Sequence, residues 1–132
     1  MLQLPLDGDV ILHPDLYAAA DAAFELGERA VFENMDVAKR FGKSVEDLAL
    51  VLDHFPAAGF CLDVAHVWTN DPSLDLGHAL IDAFAPRLRQ LHVSGIEPDG
   101  THRVTTQNDL SLYAPLLERC SRVPHVFETV RR

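Results

Sequence analysis

Five short apolar runs, each closed by an acidic or imidazole side chain, most constrain what this chain can become. Val10-Ile11-Leu12 is followed by His13, Ala30-Val31-Phe32 by Glu33 and Asn34, and Phe60-Cys61-Leu62 by Asp63 and then His66. The run from Leu88 to Val93 carries His92 after Leu91, and Val123 to Phe127 leads into Glu128. Runs this short and this apolar read as buried strands. Longer amphipathic segments separate them. An alanine-rich helix is expected from Asp15 to Leu26, closing at Gly27 as its C′ residue. A second follows Ser44, whose Ser-x-x-Asp spacing to Asp47 resembles a capping box and which sets Val45, Leu48, Val51 and Leu52 on one stripe. A third is expected from about Ser73 to Phe84, ahead of Pro86. A fourth is expected to start at an Asn108 N-cap and to carry Leu110, Tyr113, Leu116 and Leu117, with Pro115 bending or shortening it.

Strand and helix therefore alternate along the chain, which predicts right-handed βαβ units around a parallel sheet, in one domain over residues 1–132. An open doubly wound sheet and a (β/α) barrel both meet that description. No GxGxxG follows the first strand, which weighs against the dinucleotide-binding version of the former.

Composition narrows the partners. Hydrophobic residues at 48% and charged residues at 23% are near globular averages, so disorder and fibrous repeats are excluded. Acidic residues number 20 against 11 Lys and Arg, a net charge of −9 that repels phosphate backbones, so nucleic acid is a disfavoured partner. No apolar run reaches the roughly 20 residues that cross a bilayer, and MLQLPLDGDV lacks the features of a secretory signal; the expectation is a cytoplasmic protein with no membrane partner. Cys61 and Cys120 make neither a disulfide framework nor a CxxC zinc site and read as buried, reduced thiols.

In a parallel sheet all C-terminal strand ends lie on one rim, so side chains distant in sequence converge there. Asp63 follows three apolar residues and precedes Val64-Ala65, where an unpaired carboxylate is costly. Glu33 and Glu128 pose the same problem, with a buried salt bridge as the plain alternative to a functional role. His13 reads either as a surface turn or as part of a site, His92 as a ligand or a satisfied core histidine, and Trp68 as pocket wall or core. His54, His78 and His125 read as structural.

These residues carry a resemblance. Phe32-Glu33-Asn34, Leu62-Asp63-Val64-Ala65-His66, Leu91-His92-Val93-Ser94 and Phe127-Glu128-Thr129 are similar to strand ends of the xylose isomerase-like TIM-barrel superfamily, which includes sugar and sugar-phosphate isomerases and epimerases and endonuclease IV. The resemblance extends from His13 to Val130. It implies a parallel (β/α) TIM-barrel-type fold and one divalent ion held by Glu33, Asp63, His92 and Glu128. It also implies a carbohydrate substrate oriented by His13, His66, Trp68 and His102. Three carboxylates and an imidazole suit Mn²⁺ or Mg²⁺, with Zn²⁺ or Co²⁺ as alternatives. In the epimerase-like members two glutamates flank the substrate, which would make Glu33 and Glu128 the proton acceptor and donor.

The endonuclease branch is the rival enzyme reading. His13, His66, Asp99 and His102 resemble some of its ligands, but its Asp-x-His pair is one residue longer here, as Asp99-Gly100-Thr101-His102. Length adds another expectation. A complete barrel takes about 250 residues and eight strands. Five strands correspond to a barrel truncated to about five βα units, with two leading strands and the last one missing. Its apolar edges call for a second copy or for the missing segments, and a non-catalytic metal- or ligand-binding module is the alternative to an enzyme.

Overall fold

A computed structural model describes residues 8–15 and 18–128. Five strands form one sheet: β1 (Val10–Leu12), β2 (Ala30–Glu33), β3 (Gly59–Asp63), β4 (Leu88–Val93) and, after the two-residue strands β5 (Gly95–Ile96) and β6 (His102–Arg103), β7 (His125–Phe127). All four pairings in this sheet are parallel, and the spatial order β1-β2-β3-β4-β7 follows the chain without reversal. A doubly wound sheet reverses its order at a switch point; a singly wound one curls toward a barrel. The sheet is accordingly a curled half-barrel with helices on its outer face.

The helices are α1 (Ala18–Leu26), α2 (Val45–His54), α3 (Val64–Asn70), α4 (Asp75–Phe84) and α5 (Gln107–Arg119). Gly27, at φ +58°, closes α1 in the left-handed conformation that favours glycine at C′; the start of the expected helix at residues 16–17 lies outside the described residues. Ser44 caps α2 by accepting from the Asp47 N–H at 3.1 Å, while the Asp47 carboxylate accepts from the Gly42 and Lys43 N–H groups. Their apolar faces meet the outward residues of the strands, so that Phe32, Phe60, Leu62, Leu91 and Val93 join Leu48, Leu52, Leu80 and Leu116 in one buried cluster. A Cβ on Gly77 of α4 would stand 2.7 Å from Leu116 Cδ1, so a glycine lets α4 and α5 approach.

Four expectations about the elements need correction. A separate helix, α3, begins directly after Asp63, which the apolar character of Val64-Ala65 disguised as more strand. The third expected helix starts at Asp75, because the Asp71 carboxylate accepts from the Ser73 and Leu76 N–H groups and holds the preceding residues in a turn. The last helix is capped by Thr106, with Asn108 already inside it. Pro115 does not interrupt α5: it lies on the exposed face, where the Ser111 carbonyl that loses its partner meets water. No helix among the described residues is long and apolar enough to cross a membrane.

Candidate metal centre

Parallel alignment delivers the strand-end side chains to one rim. Glu33 pairs across the sheet with Cys61, and Asp63 pairs with His92, so successive strands present a polar residue at nearly the same level. One slip in register makes this alignment. Phe60 pairs with Leu88 but Cys61 with Gln90, which leaves Arg89 extra and changes the phase of β4. Gln90 and His92 then share a face with Cys61 and Asp63.

One ligand atom each from Glu33, Asp63, His92 and Glu128 lies within 4.8 Å of the others. His92 Nδ1 is 2.6 Å from Glu33 Oε2 and 2.7 Å from Glu128 Oε1. Its Nε2–H donates to Gln90 Oε1 at 3.0 Å, so Nδ1 is the atom turned to the carboxylates. The approach is close but the angles are far from those of a hydrogen bond, and both Glu33 Oε2 and His92 Nδ1 are buried without a hydrogen-bond partner. Donor atoms crowded together off their hydrogen-bonding directions are arranged as ligands around a shared cation would be. The fit to a divalent ion rests on this observation and on the chemistry of the donors: one imidazole and three carboxylates.

Asn34, next to Glu33, clamps the neighbouring strand. Its Oδ1 accepts from the Asp63 N–H at 2.7 Å and its Nδ2 donates to the Asp63 carbonyl at 3.1 Å, all buried. Asp63 caps α3, with Oδ1 accepting from the His66 N–H at 2.9 Å. The His66 ring Nδ1–H donates to the Asn34 carbonyl at 2.7 Å, which leaves Nε2 bare. His102 Nε2 sits 3.2 Å from it and His102 Nδ1 lies 2.8 Å from Ser94 Oγ. One directed chain satisfies every partner: Ser94 O–H to His102 Nδ1, His102 Nε2–H to His66 Nε2, and His66 Nδ1–H to Asn34. His102 reaches this place on a hairpin, β5 against β6, whose Glu97–Gly100 turn has Gly100 at φ +92°. Such two-residue strands carry almost no periodicity, and the hairpin was not expected from sequence.

Electrostatics follow from the crowding. Burial acts to raise the Glu33 carboxyl, but its contacts with His13 and His92 win and hold it below the usual carboxylate range. Burial pushes the Asp63 carboxyl well up, and the Glu33 charge pushes it further. Burial pulls His92 down, yet Cys61, Glu128 and Glu33 together push it up to about 12. His92 in turn holds Glu128 down, and burial lowers His66. Cys61, wholly buried, is pushed up to about 12, chiefly by burial. An ion among three carboxylates offsets the repulsion that burial makes costly.

The rim opens into a cavity of about 370 Å³, a size that suits a small ligand. His13, Glu33, Asp63, His66, His92, His102 and Glu128 all line it, with His13 Nε2 3.3 Å from Glu33 Oε1. Trp68 is the exception. It sits on α3 packed against the hydrophobic core and does not line the cavity, because the helix that starts at Asp63 turns position 68 away from the rim. Asp99 lies at the exposed hairpin turn, also outside the cavity lining. His54 packs edge-on with Phe24 and Phe55, His78 contacts Arg119, and His125 bonds the Cys120 carbonyl, all away from the rim. Asn34, Ser94, Gln90 and Lys39 belong to the site's surroundings but were not among the expected site residues; the adjacency of Asn34 to Glu33 was the one available signal.

No protein-family model and no curated protein matches this sequence. Solved structures do match in shape. A D-tagatose 3-epimerase-like protein superposes with a TM-score of 0.65 at 15% identity, over 94% of this chain and 57% of its own. The crystal structure of AsfvAP:AG superposes with a TM-score of 0.54 at 14% identity, over 92% of this chain and 55% of its own. This chain thus spans little more than half the length of each. What it shares with them is the fold, a parallel half-barrel that matches a truncated TIM barrel.

Proposed function

We propose that this chain is a divalent-metal-dependent sugar or sugar-phosphate isomerase or epimerase that moves a proton at the carbon next to a carbonyl. The observation that carries the reading is the convergence of Glu33, Asp63, His92 and Glu128, with Glu33 Oε2 and His92 Nδ1 buried and unpartnered, in a cavity beside further histidines. The fold shared with an epimerase-like protein supports it. Mn²⁺ or Mg²⁺ suits the three carboxylates. When bound, the ion supplies Lewis acidity, stabilising the negative charge that develops as the carbon loses its proton.

The chain's own groups do the rest. Glu33 and Glu128 both contact His92 and both are held ionised, the form in which a carboxylate accepts a proton. One takes the proton from carbon and the other, once protonated, returns one. Glu33 is held at 4% exposure, whereas the Glu128 side chain keeps 33% and exchanges protons with solvent more readily. His66 and His102, held by their mutual contact and by Asn34 and Ser94, form a fixed wall of the cavity that shapes where the substrate sits.

The test uses α-hydroxy ketones and their phosphates in deuterated water with Mn²⁺. Deuterium is expected at the carbon beside the carbonyl, and Glu128→Gln is expected to slow its uptake by about 10²–10⁴ while the protein stays folded. A second reading, a metal- or ligand-binding module without turnover, is favoured by the half-barrel and by the 57% coverage of the epimerase-like chain. Ion binding by calorimetry with no deuterium uptake across the panel selects a metal-binding module, and absence of any ion binding rejects both the metal-dependent enzyme and the metal-binding form of the second reading.

A further inference from the structure

Below the carboxylate rim lies a donor that the proposed chemistry does not use. Cys61 is two residues before Asp63 on β3, so its side chain faces the same interior one step deeper. It pairs across the sheet with Glu33. One ligand atom each from Glu33, Cys61 and His92 lies within 4.8 Å of the others. The sulfur is wholly buried, forms no disulfide, and shares its surroundings with the unpartnered Glu33 Oε2, on a residue only 4% exposed, and His92 Nδ1. Two overlapping ligand sets therefore share Glu33 and His92: an outer one completed by Asp63 and Glu128, and an inner one completed by sulfur.

We propose that Cys61 supplies a thiolate ligand, so that Glu33, Cys61 and His92 form an inner cation position selective for zinc-class ions. The inference rests on the cation reading of the preceding subsection and deepens it. Thiolate is a soft donor that favours Zn²⁺ and its surrogate Co²⁺ over Mg²⁺ and Mn²⁺, and an oxygen, a nitrogen and a sulfur are three of the donors a tetrahedral zinc site takes. Bond lengths of about 2.0–2.3 Å let one ion bridge donors roughly 3.5 Å apart, so Glu33 Oε2 and His92 Nδ1, now 2.6 Å apart, would separate to admit it beside the sulfur. On binding, the S–H bond breaks, the sulfur keeps the electron pair and bonds the ion, and the proton leaves to solvent. The same chain would then hold a hard ion against Asp63 and Glu128, or a soft ion drawn inward by sulfur.

Cobalt(II) titration of the purified chain, followed by absorption, tests this. The wild type is expected to show visible d–d bands together with a near-ultraviolet thiolate-to-cobalt band. Cys61→Ser and Cys61→Ala are expected to keep the visible bands and lose the near-ultraviolet one, whereas Cys120→Ser keeps both. Calorimetry is expected to show zinc affinity falling about tenfold or more in Cys61→Ser, with manganese affinity unchanged within about twofold. Visible bands without the near-ultraviolet band in the wild type overturn the sulfur ligand and leave the carboxylate site standing. Absence of both bands overturns the cation reading and this inference with it.

Discussion

Asp63 divides its two carboxylate oxygens between two duties. Oδ1 accepts the His66 N–H and starts α3, while Oδ2 lies 3.5 Å from the His66 ring nitrogen on the side of the converging donors. Asparagine can perform the first duty but carries no charge for the second. Asp63→Asn is expected to keep the unfolding midpoint within about 1 kcal/mol of wild type and to weaken divalent-ion binding by calorimetry, whereas Asp63→Ala also loses the cap, costing about 1 kcal/mol more. Asn34 is a second such residue. Asn34→Ala leaves the buried Asp63 N–H and C=O without partners and is expected to destabilise the chain by about 1–3 kcal/mol in urea unfolding. At this scale the rim positions of Glu33, Asp63, His92 and Glu128 were legible in sequence, because each stands in or just after an apolar run where an unpaired charge is costly. Asn34 was not, since its partners lie 29 residues away along the chain.

Elements show a different balance. The five main strands lie within a residue or two of their apolar runs, and α2 begins at the Ser44 signal, because burial and capping are local patterns. The register slip at Arg89 and the hairpin that carries His102 depend on partners outside their own segments and left no local pattern, whereas the start of α5 is a local Thr-x-x-Asp signal two residues before the Asn108 cap expected from sequence. That start is held by a capping box in which Asp109 accepts from the Thr106 N–H at 2.8 Å and from the Thr106 hydroxyl at 2.9 Å. Arg103 of β6 donates to both Asp109 oxygens, at 2.6 and 3.0 Å, joining the hairpin to the helix. The Arg103 contact, helped by the Thr106 N–H, holds the Asp109 carboxyl down at about 2, against a value of about 3.9 in an unfolded chain. A depressed carboxylate contributes stability that is complete above the unfolded value and is lost as pH falls from about 4 toward 2. Asp109→Asn is therefore expected to lower the urea midpoint near neutral pH and to shrink its fall across that acid range. An unchanged acid limb would show that the clamp contributes nothing.

At the scale of the molecule, sequential strand order makes a sheet with two open edges. The outer edges of β1 and β7 have no strand neighbour among the described residues, and Val126 and Phe127 on β7 are 41% and 53% exposed. Exposed parallel edges with apolar side chains favour association. We propose that the 132-residue chain self-associates through them at micromolar concentration. Light scattering is expected to report a mass above 14.6 kDa, and Phe127→Lys to lower it; a monodisperse wild-type particle of 14.6 kDa would count against the proposal. The barrel-type architecture was legible from alternation together with the strand-end residues, whereas alternation alone left the doubly wound sheet open. The parallel order settles that choice because it never reverses.

The last strand is held by little backbone: β7 meets β4 over three residue pairs, and Glu128 follows immediately. An ion gripped by Glu33 and Glu128 together would act as a clasp, fastening the closing segment of the described chain to its second strand. Chelation should then unfasten the C-terminal segment first, leaving the α2–β3–α4 centre intact, and amide exchange along β7 would be the place to watch it let go.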